Sequence, residues 1–568
     1  MSAGGGGAGG RRIGQAATAA LVVVTALVSL QLVDTRFTYM SWADHGQYLI
    51  LAKALATGRG YSDIHMPGAP PHTQLPPLLP LVLSPVYHLL GFNFLAMRLV
   101  IIAFGVGAVA AVKRIFDRLG APPLGALTAL LVVTNLNVLM YMGELLTEIP
   151  YLFFSMTALL LLEGGAARGG PAGRQRIAAA AVLAAAACLT RSIGAALVAG
   201  SAAAGAAAAL GARPGARRAV IADTTLFVVV STLPFLAWTA RNSLMDRGVA
   251  SYQSIFFCVD YYDLDKGTIG VADLAARVAD NAVFYMEALP RAFVIDHPWR
   301  SVIWAAALFL ALFVAAGLVS DLVSRRGAKD FYFLFYCAFL AVWPVSGVVD
   351  AMRYLVPVIP LLYWYFIGGS LAVADALKGR FAATRTVRAT PFVAAVAAAF
   401  LMINVYQSSH LFSPLRAAGK LARSASLLAG ELATRRERMG IEDVAVRSPS
   451  GALRCYDSYF SLAASLDGLV PADGVILTRK PELVSLLSGR LAVRYPFTRR
   501  AELFDDFVER ASVTHILVDG CYKGTRRFVY PFLARERRRL ELLRSDDSGA
   551  ALIRLKHRDT AKSVDTNG

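Results

Sequence analysis

Charged residues are scarce in this sequence. Asp, Glu, Lys and Arg make up 17% of its 568 residues, whereas a soluble globular protein carries about 25%. Hydrophobic residues account for 56% of the chain, and apolar runs of about 20 residues, each long enough to cross a bilayer as a helix, recur between residues 14 and 406. The composition excludes a soluble globular protein and predicts a polytopic membrane protein. Its spans should be helices, because backbone that crosses lipid must satisfy its own hydrogen bonds.

Cysteines and ligand-binding signatures are scarce as well. The five cysteines are too few for a disulfide scaffold. Cys455 and Cys521 could pair if the tail is extracytoplasmic, and their spacing leaves this open. The chain contains no Walker loop, no GxGxxG motif that opens a helix after a strand, and no nucleic-acid-binding motif. We therefore expect neither a bound nucleotide nor a nucleic-acid partner.

The net charge of +18 is explained by membrane orientation and not by nucleic-acid binding. Many Lys and Arg residues fall in short segments between apolar runs, where they set the orientation of a membrane protein. With the N-terminus in the cytoplasm, every cytoplasmic loop is basic and the short outer turns are not. We therefore predict a multi-pass protein of the inner or plasma membrane with about eleven spans and an external C-terminus. The predicted spans are residues 14–34, 95–114, 121–142, 149–163, 177–191, 193–210, 219–240, 301–323, 331–349, 354–376 and 390–406.

These spans divide the chain into regions. The predicted regions are a disordered cytoplasmic N-terminus (1–13), a membrane domain (14–406) with outer loops at 35–94 and 241–300, an extracytoplasmic domain (407–558) and a disordered tail (559–568). Within the first outer loop, residues 75–90 are apolar but contain four prolines, which disfavour a regular span. We expect this segment to be a helix in the outer interface, paired with another at 46–57.

The extracytoplasmic domain alternates strand and helix signals. Strands are predicted at 474–478, 491–495 and 514–518, helices at 481–488 and 500–511, and a further edge strand at 550–555. This alternation favours a small α/β domain with a parallel sheet.

Five charged residues stand at the outer ends of the predicted spans. Asp44 follows the first span, Glu144 and Glu148 lie in the turn after the third, Arg191 ends the fifth and Arg353 opens the tenth. Charges at span ends are costly and often functional, although single ones also snorkel to water or pair with one another. A guanidinium suits phosphate, and a carboxylate can take a proton from a hydroxyl. As a set, they indicate a substrate with a phosphate at headgroup level and an acceptor with a hydroxyl group.

The first outer loop also carries a resemblance to a known superfamily. The chain resembles the start of integral-membrane glycosyltransferases of the GT-C fold, among them the dolichyl-phosphate-mannose protein mannosyltransferases, the lipid A aminoarabinose transferases and the RgtA/B/C/D-like bacterial enzymes. The segment Arg353-Tyr354-Leu355-Val356-Pro357 is also typical of them. The residues that carry the first-loop resemblance are Asp44, Tyr48, Leu49, Ala52, Leu55, Ala56, Thr57, Gly58, Gly60, Tyr61, Pro76, Pro77, Leu78, Pro80, Gly91 and Arg98.

This resemblance implies inverting transfer of a sugar from a polyprenyl-phosphate donor. Asp44 matches the catalytic acid of the first loop, which serves as general base, and Glu148, the second candidate catalytic residue, occupies the place of the acid in the second outer loop. Arg353 matches an arginine near the donor phosphate, and we add Arg191 to it. Candidate substrate-binding residues are His45, Tyr48, Tyr61 and Glu144.

Two positions depart from the pattern of the superfamily. His45 stands where many members have a second acid, and Gln74 and Leu75 stand where the aminoarabinose transferases have a lysine before a proline. No cofactor is expected, but a divalent cation held by loop histidines (His45, His65, His72) with Glu148 is an alternative.

The sequence thus predicts a glycosyltransferase that acts on the outer face of the membrane. Its acceptor would be a hydroxyl group of an envelope lipid, glycan or protein, and the sequence names neither sugar nor acceptor. Two other classes stay open, namely a transporter or flippase of a lipid-linked or anionic substrate and a non-enzymatic scaffold. We see no internal repeat of the kind that transporters show.

Overall fold

The computed structural model of the protein describes residues 16, 18–26, 28, 37–40, 44–120, 122–163, 171–245, 252–380, 398–407, 439, 441, 444–447, 453–520 and 522–556. Helices dominate this part of the chain. They are α1 His45–Ala56, α2 Leu78–Leu90, α3 Phe94–Leu119, α4 Pro122–Thr134, α5 Leu136–Met142, α6 Glu148–Glu163, α7 Pro171–Thr190, α8 Ala195–Gly211, α9 Pro214–Met245, α10 Tyr252–Phe257, α11 Val271–Ala292, α12 Arg300–Ser324, α13 Ala328–Val342, α14 Val348–Leu355, α15 Ile359–Arg380, α16 Leu453–Ala464, α17 Pro481–Ser488, α18 Ala501–Arg510 and α19 Tyr530–Arg535.

Several of these helices can cross a membrane. Within the described residues, six are long and apolar enough, and the bent pair α4–α5 makes a seventh if it is one span. The six are Phe94–Leu119, Ala172–Thr190, Ser192–Gly211, Pro214–Met245, Arg300–Ser324 and Val348–Ala376. The polytopic helical membrane architecture is confirmed. The full set of eleven spans stays a prediction, because α6 and α13 are shorter and the first and last predicted spans are only partly described, the last as the short apolar helix Ala398–Gln407.

Basic connections lie together at one end of the helix bundle. At the end of α3, Arg118 Nη1 donates to the Leu160 carbonyl at 3.0 Å, and Arg325, after α12, donates to the Leu119 carbonyl. The ends of α3, α6 and α12 therefore meet there. Since α6 ends at this side, its first residue, Glu148, lies at the opposite end, as the predicted topology requires.

One long apolar segment is broken, and another contains a local irregularity. A bend of 64° separates α4 from α5 at Asn135, whose Oδ1 accepts from the Asn137 and Val138 backbone amides and so caps α5. The irregularity is the 3₁₀ turn Val356–Val358 within the helical segment Val348–Ala376. It contains Pro357, which has no amide hydrogen to donate.

The outer segments contain more helix than the sequence predicts. Residues 349–353, expected to be a turn, belong to the helix α14. Ala351 and Leu355, one helical turn apart, are its buried residues, while Arg353 in its last turn suits the helix dipole. The 22-residue helix α11 lies in the loop 241–300, for which no helix was predicted.

The first outer loop contains the two predicted helices. Helix α1 packs against α2, which keeps Pro85 in its interior. The loop after α1 turns at Gly58 and Gly60, both with φ +72°, a conformation that favours glycine. The position of α2 in the membrane interface stays a prediction.

The tail forms a five-stranded mixed sheet in the order β4-β3-β5-β7-β6. Its strands are β3 Val475–Thr478, β4 Leu491–Arg494, β5 His515–Val518, β6 Leu540–Ser545 and β7 Ala551–Leu555. The three predicted strands β3, β4 and β5 are parallel. The predicted edge strand is instead internal, because β7 pairs antiparallel with both β5 and β6, and β6 was not predicted. A separate parallel pair joins β1 Phe37–Met40 to β2 Val444–Arg447.

The tail domain and the outer loops form one packed unit. The Ala492 amide of β4 donates to the His65 carbonyl at 2.8 Å, and the Leu264 amide donates to the Phe497 carbonyl at 2.9 Å. Cys455 in α16 is disulfide-bonded; its candidate partner, Cys521, lies outside the described residues. The tail thus closes over the end of the bundle that carries Glu148.

Candidate active site

Asp44 lies directly before α1, where its backbone carbonyl accepts from the Gln47 and Tyr48 amides at 3.1 and 3.2 Å. Its side chain is 45% exposed, so the carboxylate can be reached by a substrate. Oδ2 accepts from Nη1 and Nη2 of Arg353 at 3.3 and 3.4 Å. These long contacts hold the carboxylate while leaving room for another donor.

Arg353 connects two carboxylates. While its Nη atoms face Asp44, its Nε donates to Oε1 of Glu148. The side chain is 12% exposed and comes from the last turn of α14, before the 3₁₀ turn that contains Pro357. This arginine therefore lies at the end of the bundle that carries Glu148.

Glu148 is the centre of the cluster. It is fully buried, and its Oε1 also accepts from Arg191 Nη1 at 2.5 Å. Its other oxygen, Oε2, is buried without a hydrogen-bond partner among the described residues. We call Asp44, Glu148, Arg191 and Arg353 the acid–arginine cluster. The cluster contains two guanidiniums and two carboxylates. All four residues are candidates from the sequence, and the fold brings them together from four distant positions.

Arg191 is held from two further sides. Its Nη1 lies 3.3 Å from the Thr147 hydroxyl, to which it donates, and its guanidinium lies 5.3 Å from the centre of the Tyr354 ring. The Tyr48 hydroxyl donates to the same Thr147 hydroxyl at 3.5 Å. Thr147 was not singled out from the sequence, and only the fold shows that it links α1 to the cluster.

His45 and Glu144 form a separate buried pair. His45 Nε2 lies 3.0 Å from Glu144 Oε2, and both side chains are almost inaccessible. The residue that replaces the second acid of the superfamily therefore has an acid of its own beside it.

Tyr61 has a different environment. Its hydroxyl donates to the Leu75 carbonyl at 2.9 Å, and its ring meets those of His72 and Trp238 edge-on. These contacts hold the first outer loop together, so the structure does not place Tyr61 with the acid–arginine cluster.

A second polar cluster, not predicted, organises the first loop. Asp63 Oδ1 accepts from Gln47 Nε2 at 2.6 Å and lies 2.9 Å from His72 Nδ1. Burial would raise the pKa of Asp63, but the hydrogen bond and charge of His72 outweigh it, and the pKa lies below its usual value. Burial lowers the pKa of His65 against the fields of Glu482 and Asp63.

The structure does not assemble the histidines suggested as cation ligands. His45 faces Glu144 and His72 faces Asp63, while Glu148 is bonded to the two arginines. Within the described ranges, no group of three or more His, Cys, Asp or Glu side chains is placed to hold a metal ion.

Two sets of solved structures resemble this chain over most of its length. The archaeal oligosaccharyltransferase AglB of Archaeoglobus fulgidus, in complex with an inhibitory peptide and a dolichol-phosphate, is 13% identical with a TM-score of 0.53, over 92% of this chain and 72% of AglB. ArnT of Cupriavidus metallidurans in the apo state is 15% identical with a TM-score of 0.52, over 94% of this chain and 97% of ArnT. ArnT bound to undecaprenyl phosphate gives 16% identity and the same TM-score.

The sequence itself matches no family model and no curated protein. AglB and ArnT are glycosyltransferases of the GT-C superfamily, and at these identities the likeness defines the fold. The chain has the GT-C fold, as the first-loop pattern predicts.

Proposed function

We propose that this protein is an inverting glycosyltransferase that moves a hexose or pentose from a polyprenyl-phosphate donor to a hydroxyl acceptor on the outer face of the membrane. The observation that carries the proposal is the acid–arginine cluster at one end of a GT-C bundle, in which the accessible Asp44 pairs with Arg353 and the buried Glu148 pairs with both Arg353 and Arg191. The acceptor is an envelope lipid, glycan or protein. In this orientation the N-terminus is cytoplasmic and the tail domain extracytoplasmic.

The two arginines support a lipid-linked phosphate as part of the donor. Guanidinium groups bind phosphate oxygens through paired hydrogen bonds, and Arg191 and Arg353 lie where the bundle meets the outer loops. ArnT has been solved with undecaprenyl phosphate and AglB with a dolichol-phosphate. That analogy of fold favours a polyprenyl phosphate here, with its tail left in the bilayer.

In the proposed reaction, Asp44 takes the proton of the acceptor hydroxyl. The acceptor oxygen forms a bond to the anomeric carbon while the bond from that carbon to the phosphate oxygen breaks. The leaving polyprenyl phosphate keeps the electron pair, and Arg191 and Arg353 stabilise the charge that builds up on it. No nucleotide is consumed.

We assign Glu148 to positioning these arginines, because its Oε1 already accepts from both. His45, Tyr48 and Glu144 would form the wall behind Asp44, since all three are buried beside it on α1 or in the turn before α6. Tyr61 would act indirectly by fixing the first loop.

The test is the release of free polyprenyl phosphate from a panel of polyprenyl-phosphate sugars by the purified protein, with envelope extract as acceptor source. Release above the protein-free level supports transfer and identifies the donor. No release from any donor, together with movement of the lipid-linked sugar across liposomes, would identify a flippase instead. A parallel assay with EDTA decides whether a divalent cation takes part.

A further inference from the structure

A cavity of about 390 Å³ lies at the basic end of the helix bundle. Its walls come from α6, α7, α8, α9 and the turn between α12 and α13, and we call it the arginine-lined cavity. Arg325 of that turn donates to the Leu119 carbonyl, which places the cavity at the opposite end of the bundle from Glu148. Its volume is that of a small-molecule site, roughly 300–1,000 Å³, and it is separate from the acid–arginine cluster.

Small residues of α8 make room for this cavity. Ala204, Ala208 and Gly211 line it, and so does Ser201 further along the same helix. Ser201 and Gly211 are ten residues apart, so the lining follows α8 for about 15 Å. The buried Phe227 of α9 lines the cavity as well. The cavity therefore extends from the end of the bundle into its apolar part.

The hydroxyl group of Ser201 is a polar contact in the lining of the cavity. The residue is 7% exposed, and its Oγ is buried without a hydrogen-bond partner among the described residues. Ser231 of α9, by contrast, donates to the Phe227 carbonyl of its own helix at 2.7 Å. A buried hydroxyl group without a partner is costly, so Ser201 is suited to donate a hydrogen bond to an oxygen of a ligand.

The charge of the lining is positive. Glu163 is committed to the start of α13, because its Oε1 accepts from the Lys329 amide at 2.9 Å. Arg325 and Arg326 donate to main-chain carbonyls, which do not neutralise their charge. The charged residues of the lining are three arginines and two carboxylates, namely Arg176, Arg325, Arg326, Glu163 and Asp223.

The neighbouring segments add to this positive charge. Residues 211–222, at the turn between α8 and α9, contain three arginines and no acid, and the first turn of α7 contains Arg174. An anion that approaches the cavity therefore meets a basic surface at this end of the bundle.

The lining suits a ligand that is both apolar and anionic. Apolar side chains such as Leu161, Ile177, Val220 and Phe227 can contact hydrocarbon. Guanidinium groups bind phosphate oxygens through paired hydrogen bonds. Basic pockets between transmembrane helices at the cytoplasmic side are known to bind anionic lipid headgroups, and the predicted topology assigns this end of the bundle to the cytoplasm.

We propose that the arginine-lined cavity binds the headgroup and the first acyl carbons of an anionic phospholipid from the surrounding leaflet. The lipid phosphate lies at Arg176, Arg325 and Arg326, and an ester oxygen accepts from the Ser201 hydroxyl. The remainder of the acyl chains stays in the bilayer, because the cavity is too small for a whole phospholipid. This inference is independent of the proposed transfer reaction.

The experiment measures lipid binding to the full-length protein by native mass spectrometry, after purification in a neutral detergent and removal of bound lipid. The probes are dioleoyl phosphatidylglycerol and dioleoyl phosphatidylcholine, which share their chains, esters and phosphate and differ in net charge. We expect phosphatidylglycerol to bind about tenfold or more tightly, since a charged hydrogen bond contributes enough for that ratio. Inorganic phosphate in large excess should leave the lipid bound.

Charge variants connect this binding to the cavity. Arg176→Gln and Arg326→Gln should each weaken binding of phosphatidylglycerol about tenfold and change that of phosphatidylcholine little. Arg213→Gln is the matched control, because Arg213 is exposed in the turn before α9 and lies outside the lining. Ala204→Leu, which narrows the cavity without changing charge, should weaken both lipids.

Ser201→Ala separates a binding role from a structural one. This variant should weaken phosphatidylglycerol several-fold and at the same time raise the melting temperature of the lipid-free protein, because the unpaired buried hydroxyl group is removed. A hydroxyl group that only supports the fold would lower the melting temperature when it is removed.

Equal binding of the two lipids would overturn the inference. So would a preference for phosphatidylglycerol that Arg176→Gln and Arg326→Gln reduce no more than Arg213→Gln does, since it would reflect the general charge of the surface. Displacement of the lipid by inorganic phosphate would identify a site for free phosphate instead. Melting temperatures of the lipid-free variants show that each is folded. None of these measurements needs turnover, so the outcome is independent of the test of the proposed transferase.

Discussion

Glu148 is the residue on which the geometry of the candidate site depends most. It is fully buried and neutralises two guanidiniums that are themselves about nine-tenths buried. Burying such charges is tolerable only while they are paired, and loss of one partner from a buried pair costs about 3–5 kcal/mol. This carboxylate therefore maintains both the stability of the cluster and the position of Arg191 and Arg353.

We predict that Glu148→Gln destabilises the protein by about 3 kcal/mol or more, because both arginines lose their shared counter-charge. The melting temperature of the purified protein in detergent measures the effect. Glu148→Asp, which keeps the charge on a shorter side chain, is the matched control and should lose less. A Glu148→Gln protein as stable as the wild type would contradict the central position given to this residue.

Lys480 makes the stability of the tail depend on pH. Burial, Arg479 and Arg494 lower its pKa to about 8 while Glu482 and Asp44 oppose the shift, and an unfolded lysine titrates at about 10.4. Between these values the unfolded state binds more protons, so the stability contributed by this group rises with pH. At neutral pH the native state holds a charged amine that is buried beside two arginines, and this lowers the stability of the native state.

We therefore predict that Lys480→Met raises the melting temperature at pH 7 and removes part of the rise in stability between about pH 8 and 10. Melting curves across this range measure both effects. Lys523→Met, at an exposed lysine of the same domain, should change neither. An unchanged pH profile in Lys480→Met would contradict the burial of this amine beside Arg479 and Arg494.

At this scale the sequence predicts which charges matter but not how they pair. Asp44, Glu148, Arg191 and Arg353 are recognisable because charges at span ends are rare and costly. The pairings depend on how distant helices meet. One oxygen of Glu148 accepts from both arginines, and His45 faces Glu144. The role of Tyr61 could not be predicted, because the same residue type serves in binding and in holding loops.

At the scale of elements, the contact between α1 and α17 connects the bundle to the tail. Gly46 in the first turn of α1 lies against Leu483 and Glu482 of α17. Asp44 precedes this contact by two residues. How closely these two helices approach therefore sets the position of the proposed base relative to the tail domain.

We predict that Gly46→Val forces α1 and α17 apart and destabilises the protein by about 1–3 kcal/mol, the usual cost of overpacking. Thermal unfolding measures the loss, and transfer activity should fall with it. Gly215→Ala in α9, where an added Cβ has open space, is the control without a steric effect. Wild-type stability in Gly46→Val would show that the helices do not pack as described.

The sequence predicts the helices and strands that alternate along the tail. It does not predict the added strand β6, the bend at Asn135 or the helix α11. The parallel order of β3, β4 and β5 follows from alternating strand and helix signals. The antiparallel insertion of β7 depends on the unpredicted strand β6. The bend at Asn135 results from one capping side chain inside an apolar run, which a hydropathy pattern does not register, and α11 is amphipathic, so a search for apolar runs passes over it.

At the scale of the whole molecule, the two ends of the bundle have opposite character. Basic connections such as those at Arg118 and Arg325 meet at one end. The other end holds the acid–arginine cluster beneath the tail domain. The positive-inside rule assigns the first end to the cytoplasm, so chemistry and tail should lie outside.

We predict that thiol labelling will show this orientation. A cysteine introduced by Arg510→Cys in the tail should react with a membrane-impermeant maleimide in intact cells. Arg326→Cys, between α12 and α13, should react only after the membrane is opened. The parent protein controls for Cys258 and Cys337. Labelling of Arg326→Cys in intact cells would contradict the predicted topology. The proposed reaction would then lie on the cytoplasmic side of the membrane.

The central claim is that Asp44 drives transfer from a polyprenyl-phosphate sugar. The most direct measurement is the rate of polyprenyl phosphate release by the wild type beside Asp44→Asn, with melting temperatures taken in parallel. The account predicts a loss of at least about 10²-fold, the contribution of a general base, with little change in stability, because Asp44 is almost half exposed. Release by Asp44→Asn at the wild-type rate would contradict it.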